Sequence, residues 1–105
     1  MRRAAKVDAN HAEIVATLRA AGCWVLDLSA VGRGCPDLLV HGPVHNWDFK
    51  LIEIKDGRKV PSARKLTPDQ IKFHAGCRGP VVVVTSVDEA LAAFGLASKG
   101  AENAA

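Results

Sequence analysis

The chain has 105 residues, a formal net charge of +3, a pI near 9.0 and 49% hydrophobic residues. That length fits one domain, and that apolar content excludes a disordered or collagen-like chain. No apolar run approaches the ~20 residues that span a bilayer, and the small positive excess permits an anionic partner without demanding one.

Residues 1–7 read as a basic arm, 8–97 as one folded domain and 98–105 as a frayed tail. Asp8, Asn10 and His11 follow the arm where a signal peptide would carry its apolar segment, so a cytoplasmic protein with no membrane association is expected. A first helix is predicted from Asp8 to Ala21, with Ile14, Val15 and Leu18 at helical spacing and Gly22 ending it. Cys23–Leu28 reads as a strand, Val31–Cys35 as a glycine loop, and Asp37–His41 as a second strand between Pro36 and Gly42-Pro43. Trp47–Lys55 reads as a third strand, joined to the second by a hairpin.

A polar, basic loop follows from Asp56 to Leu66. Thr67, Pro68 and Gln70 supply the N-cap, first-turn proline and capping-box partner of a second helix, ended by Gly76 or Gly79. Pro80–Thr85 is a continuous apolar run expected to be buried on both faces, with Val81–Val84 near the sheet centre. Ser86 and Glu89 repeat the capping pattern ahead of a last helix carrying Val87, Leu91 and Phe94. The order αβββαβα implies an α/β domain with a mixed sheet flanked by helices.

Cys23, Cys35 and Cys77 are odd in number and lack a CxxC pair, which favours reduced thiols over a disulfide framework or a zinc site. His11 reads as a surface histidine and His74 as a core one, and Trp24 and Trp47 as core or edge packing.

The third strand carries the chemistry. Alternation places Phe49, Leu51, Glu53 and Lys55 on one face, and Ile52 and Ile54 on the other. Two charges closing an apolar row need partners or a ligand. If the second and third strands are antiparallel neighbours, Asp37 meets Glu53 at the same sheet edge. Two adjacent carboxylates repel, and a divalent cation relieves them. Mg2+ or Mn2+ suits such a site, with the Ile54 carbonyl as a further oxygen. A cation there would polarise a phosphodiester and acidify a bound water, and Lys55 would orient that water or steady developing charge. Arg2, Arg3 and Lys6 in the arm, Arg33 in the glycine loop, and Arg58, Lys59, Arg64 and Lys65 after the third strand are candidate phosphate contacts.

Pro36-Asp37 followed by Glu53-Ile54-Lys55, 16 residues from acid to acid, resembles the PD-(D/E)XK nuclease signature. With Gly34-Cys-Pro-Asp37 and Leu66-Thr-Pro-Asp-Gln70-Ile-Lys-Phe73, the chain looks most like small phage-type VRR-NUC and Holliday-junction-resolvase-like nucleases, over residues 8–97. The resemblance implies a restriction-endonuclease-like αβββαβα core and a DNA endonuclease using Mg2+ or Mn2+. Junction cleavage by a homodimer is its leading physiological form, in a bacterial or phage-infected cell. It also implies that Glu13 joins Asp37 and Glu53 on the metal and that Gln70 supports the site. From the residues alone, Glu13 equally closes a capping box with Asn10, and Gln70 equally serves as a cap. A non-catalytic nucleic-acid-binding module of the same fold, or a structural protein with an ion-pair cluster, are the rival readings.

Overall fold

The computed structural model describes residues 7–43 and 49–96. Helix α1 (His11–Ala20) leads into strand β1 (Trp24–Asp27), β2 (Leu38–His41) and β3 (Phe49–Ile54). A 3₁₀ turn (Pro61–Arg64), helix α2 (Pro68–Gly76), strand β4 (Val81–Val84) and helix α3 (Val87–Ala92) follow. The four strands form one mixed sheet in the order β1-β2-β3-β4. β1 to β3 run antiparallel in succession, and β4 pairs parallel with β3. This is a small α/β fold. Part of the predicted third strand and its hairpin, residues 44–48 with Trp47, lies outside the described residues, as do the arm residues 1–6 and residues 97–105. Among the described residues no helix is long and apolar enough to cross a membrane.

Period-two alternation sorts the sheet into two unlike faces. Val25, Leu38, Val40, Ile52, Ile54 and Val84 point one way and bury against Ile14, Val15 and Leu18 of α1 and Ala90 and Leu91 of α3. The opposite face carries Trp24 and Leu26 of β1, Phe49 of β3 and Val83 of β4, all exposed. Trp24 packs edge-on against Phe49, with ring centroids 5.8 Å apart. It therefore lies on an open face, 52% exposed, and not in the core.

Three sequence expectations are corrected. Among the described residues β4 is an edge strand, not a central one: it pairs only with β3 there, and Val83 is 42% exposed. A run of four valines matches burial on both faces, but the sheet ends there. Helix α1 starts at His11, not Asp8, and Asn10 makes no side-chain cap. The Asn10 amide instead donates to the carbonyls of Lys55 and Thr85, each at 3.2 Å, tying the helix start to the ends of β3 and β4. His11 is buried, not on the surface, and its Nε2 lies 2.9 Å from Asp27 Oδ2. Burial opposes ionisation of Asp27, but hydrogen bonds from Ser29 and His11 outweigh it and hold its carboxyl at about 2.

The three cysteines are free, with Cys23 buried. Helix α2 has the full capping box: Gln70 N donates to Thr67 Oγ1 at 3.2 Å, and Thr67 N donates to Gln70 Oε1 at 2.8 Å. The glycine loop packs on this first turn. Gly34 has φ +79°, and a Cβ there would overlap the Asp69 carbonyl and meet the Gln70 amide nitrogen at 2.8 Å. Left-handed strain and overpacking together should make Gly34→Ala cost ~3 kcal/mol, read by urea denaturation. Wild-type stability of that variant would show that loop and helix are not in contact.

Candidate active site

The antiparallel register of β2 and β3 pairs Leu38 with Ile52, which sets Asp37 beside Glu53 as expected. Asp37 N donates to the Ile52 carbonyl at 2.9 Å, and Asp37 Oδ2 accepts from Ile54 N at 2.7 Å. The acid is therefore pinned by backbone on both sides of Glu53. Glu53 is 2% exposed and Lys55 is 9% exposed, so both charges of the tripeptide are buried.

Gln70 joins them. Its Nε2 donates to Glu53 Oε2 at 3.2 Å, and its Oε1 accepts from Lys55 Nζ at 2.7 Å. The same Oε1 also closes the capping box. One side chain thus makes both sets of contacts: the cap fixes the helix start, and the fixed amide lies between Glu53 and Lys55. Asp37, Glu53, Ile54, Lys55 and Gln70 line one cavity of about 610 Å³, with Asp8, Lys59 and Lys65 also on its wall.

Glu53 is electrostatically loaded. Burial, and then Asp37 next to it, push its carboxyl up to about 8; Lys55 works in the opposite direction. With both acids ionised, Glu53 Oε1 is a buried acceptor with no hydrogen-bond partner among the described residues. When Glu53 is protonated, it can share that proton with Asp37.

Glu13 is not brought to this site. It is exposed and lines a separate cavity with Asn10, Asp56 and Arg58. The helix begins three residues later than predicted, and the acid ahead of it, Asp8, lines the cavity with Glu53. Asp8 lies close enough to raise the Glu53 carboxyl further, and it pairs with Lys59 at 3.5 Å. Sequence reasoning missed Asp8 because no local pattern marks a residue that precedes a helix. It also missed His74, whose Nε2 lies 3.7 Å from Glu53 Oε1.

The basic candidates divide. Lys59 and Lys65 line the cavity. Arg33 lies in a neighbouring hollow with Asp69, Lys72 and Phe73. Arg58 is folded onto Asp56 at 3.1 Å, and Arg64 Nε donates to the Lys59 carbonyl at 2.9 Å. Arg2, Arg3 and Lys6 lie outside the described residues.

Among the described residues, no three His, Cys, Asp or Glu side chains form a ready metal-ligand set. The two carboxylates do fit a cation that keeps much of its shell as water or phosphate, as Mg2+ does. The specific sign is the donor set itself: a buried carboxyl, Glu53, directly beside a second acid, Asp37. No family model matches the chain, and neither the curated proteins nor the solved structures contain a match to it.

Proposed function

We propose that this chain is a metal-dependent DNA endonuclease of the PD-(D/E)XK type with a restriction-endonuclease-like core, nearest in motif pattern to the VRR-NUC and Holliday-junction-resolvase-like enzymes. One observation carries the reading. Asp37, Glu53, Lys55 and Gln70, drawn from three elements, converge on one cavity in which two acids, Asp37 and the buried Glu53, lie side by side next to a lysine. An ornamental ion-pair cluster would leave Glu53 paired with Lys55; here Gln70 stands between them.

Asp37, Glu53 and the Ile54 carbonyl would hold Mg2+ or Mn2+. Such an ion would supply Lewis-acid polarisation of a phosphodiester and would make a nearby water more acidic. The chain's own groups do the rest. Lys55 supplies a positive charge to orient the attacking water and offset charge building on the phosphate oxygens. Gln70 fixes Lys55 against Glu53, so that both keep their place as charge shifts. Lys59 and Lys65 offer phosphate contacts that are indifferent to base sequence, which suits recognition of DNA shape. Cleavage of branched DNA in a bacterial or phage-infected cytoplasm is the physiological form of this proposal. The test compares a four-way junction, a flap and a linear duplex in Mn2+, with Asp37→Ala as control. Binding without cleavage of any of them would favour the non-catalytic module.

A two-fold homodimer goes with the reading, since it presents two sites to two strands. The open sheet face supports it. Trp24, Leu26, Phe49 and Val83 are 42–52% exposed and carry no charge to repel a second copy. Trp24 and Phe49 alone leave ~200 Å² of aromatic surface uncovered, a quarter of the ~800 Å² each partner buries in a standard interface. Sedimentation equilibrium should give twice the 11.1 kDa chain mass, and Trp24→Lys should return it to a monomer. A wild-type monomer at high concentration would exclude this interface.

A further inference from the structure

We infer that His74 is a positioning residue for Glu53: its Nε2–H holds the carboxylate oxygen that Gln70 leaves free, and so fixes how Glu53 meets a bound cation. The inference rests on the cation site proposed above. Gln70 and His74 are four residues apart on α2 and therefore share one face of it. Gln70 Nε2 donates to Glu53 Oε2 at 3.2 Å. His74 Nε2 lies 3.7 Å from the other oxygen, Oε1.

Both of those facing atoms are buried, and neither has a hydrogen-bond partner among the described residues. A buried donor and a buried acceptor left unmade are each costly, and a small rotation of the imidazole joins them. The contact requires the tautomer with its proton on Nε2. His74 does not line the cavity, so it acts through Glu53 and not on substrate. A carboxylate offers about four lone-pair sites, so one donor on each oxygen still leaves room for a cation. Helix α2 thus presents two donors, one turn apart, to the two oxygens of a single acid. Their joint effect is to lock the carboxylate plane.

Hydrogen-bonding partners of metal-binding carboxylates typically change metal affinity ~10–100-fold when removed. His74→Phe keeps a ring of similar size and removes the donor. Calorimetric titration with Mn2+ should show binding weaker by ~10–100-fold than wild type, in a metal-free protein that is still folded by circular dichroism. In cleavage, kcat should fall while KM for DNA holds. His74→Gln, which restores an amide donor, should recover Mn2+ affinity to within a few-fold. Equal Mn2+ affinity of His74→Phe and wild type would overturn the inference, as would a His74→Gln protein as weak as His74→Phe.

A second measurement needs neither metal nor a mutated histidine. The imidazole nitrogen resonances of His74 should move on Glu53→Gln, and resonances that stay in place also overturn it. Tight Mn2+ binding with no cleavage of any DNA would refute the nuclease reading alone and leave the role of His74 standing.

Discussion

Asp37→Ala and Lys55→Ala proteins should each lose DNA cleavage by a factor on the order of 1,000 or more, while still folding and binding DNA. The two losses have different structural costs. Asp37 Oδ2 accepts from Ile54 N at 2.7 Å, so alanine there strands a buried donor, at ~1–3 kcal/mol. Asp37→Asn retains an acceptor oxygen for that N–H and removes only the charge. It should be as inactive as the alanine protein but closer to wild type in stability. Lys55→Ala breaks the bond from Nζ to Gln70 Oε1. That oxygen still accepts from Thr67 N, so the capping box and α2 survive. Single-turnover cleavage in Mn2+, with circular dichroism for the fold and DNA binding in Ca2+, separates these effects. Full cleavage by pure Asp37→Ala protein would end the proposed mechanism.

The sequence exposed the parts of this site that local periodicity controls. Glu53 and Lys55 share a strand face by alternation alone, and both are buried on it. Asp37 needed one inference more, the antiparallel pairing of neighbouring strands, which the register of β2 and β3 supplies. Gln70 was legible as a cap; its contacts to Glu53 and Lys55 cross 17 and 15 residues, which no spacing rule reaches. Glu13 failed because α1 buries Ile14, Val15 and Leu18 and leaves Glu13 exposed beside a different cavity. The helix starts at His11, with Asn10 committed to carbonyls 45 and 75 residues away, and Asp8 lines the cavity with Glu53 while Glu13 faces Arg58. The same limit hid the true position of β4. Four consecutive valines record that a strand is apolar, but only the number of strands in the sheet decides whether a neighbour lies beyond it.

The metal-free protein should become less stable as pH rises from about 5 to above 8, and Glu53→Gln should remove most of that loss. Glu53 titrates near 8 in the folded chain against 4.5 in an unperturbed one. The folded state thus holds a proton that the unfolded state releases across that window, and stability falls as pH rises through it. The contribution is fully present below about 4.5 and is lost above about 8. A tenfold difference in proton affinity between the two states is worth ~1.4 kcal/mol, so the change is several kcal/mol before local relaxation reduces it. A cation inverts the balance because it favours the ionised pair. Mg2+ or Mn2+ should raise the thermal midpoint more at pH 8.5 than at pH 5.5, where protons compete for Glu53. Asp37→Asn should flatten the metal-free profile as well, since it withdraws the charge next to Glu53 that helps raise it. Thermal melts at pH 5.5 and 8.5, with and without Mg2+, read all three effects. A wild-type slope retained in Glu53→Gln would place the titrating group elsewhere. An equal Mg2+ gain at both pH values would mean that the ion does not compete with the Glu53 proton, and so does not bind where Asp37 and Glu53 meet.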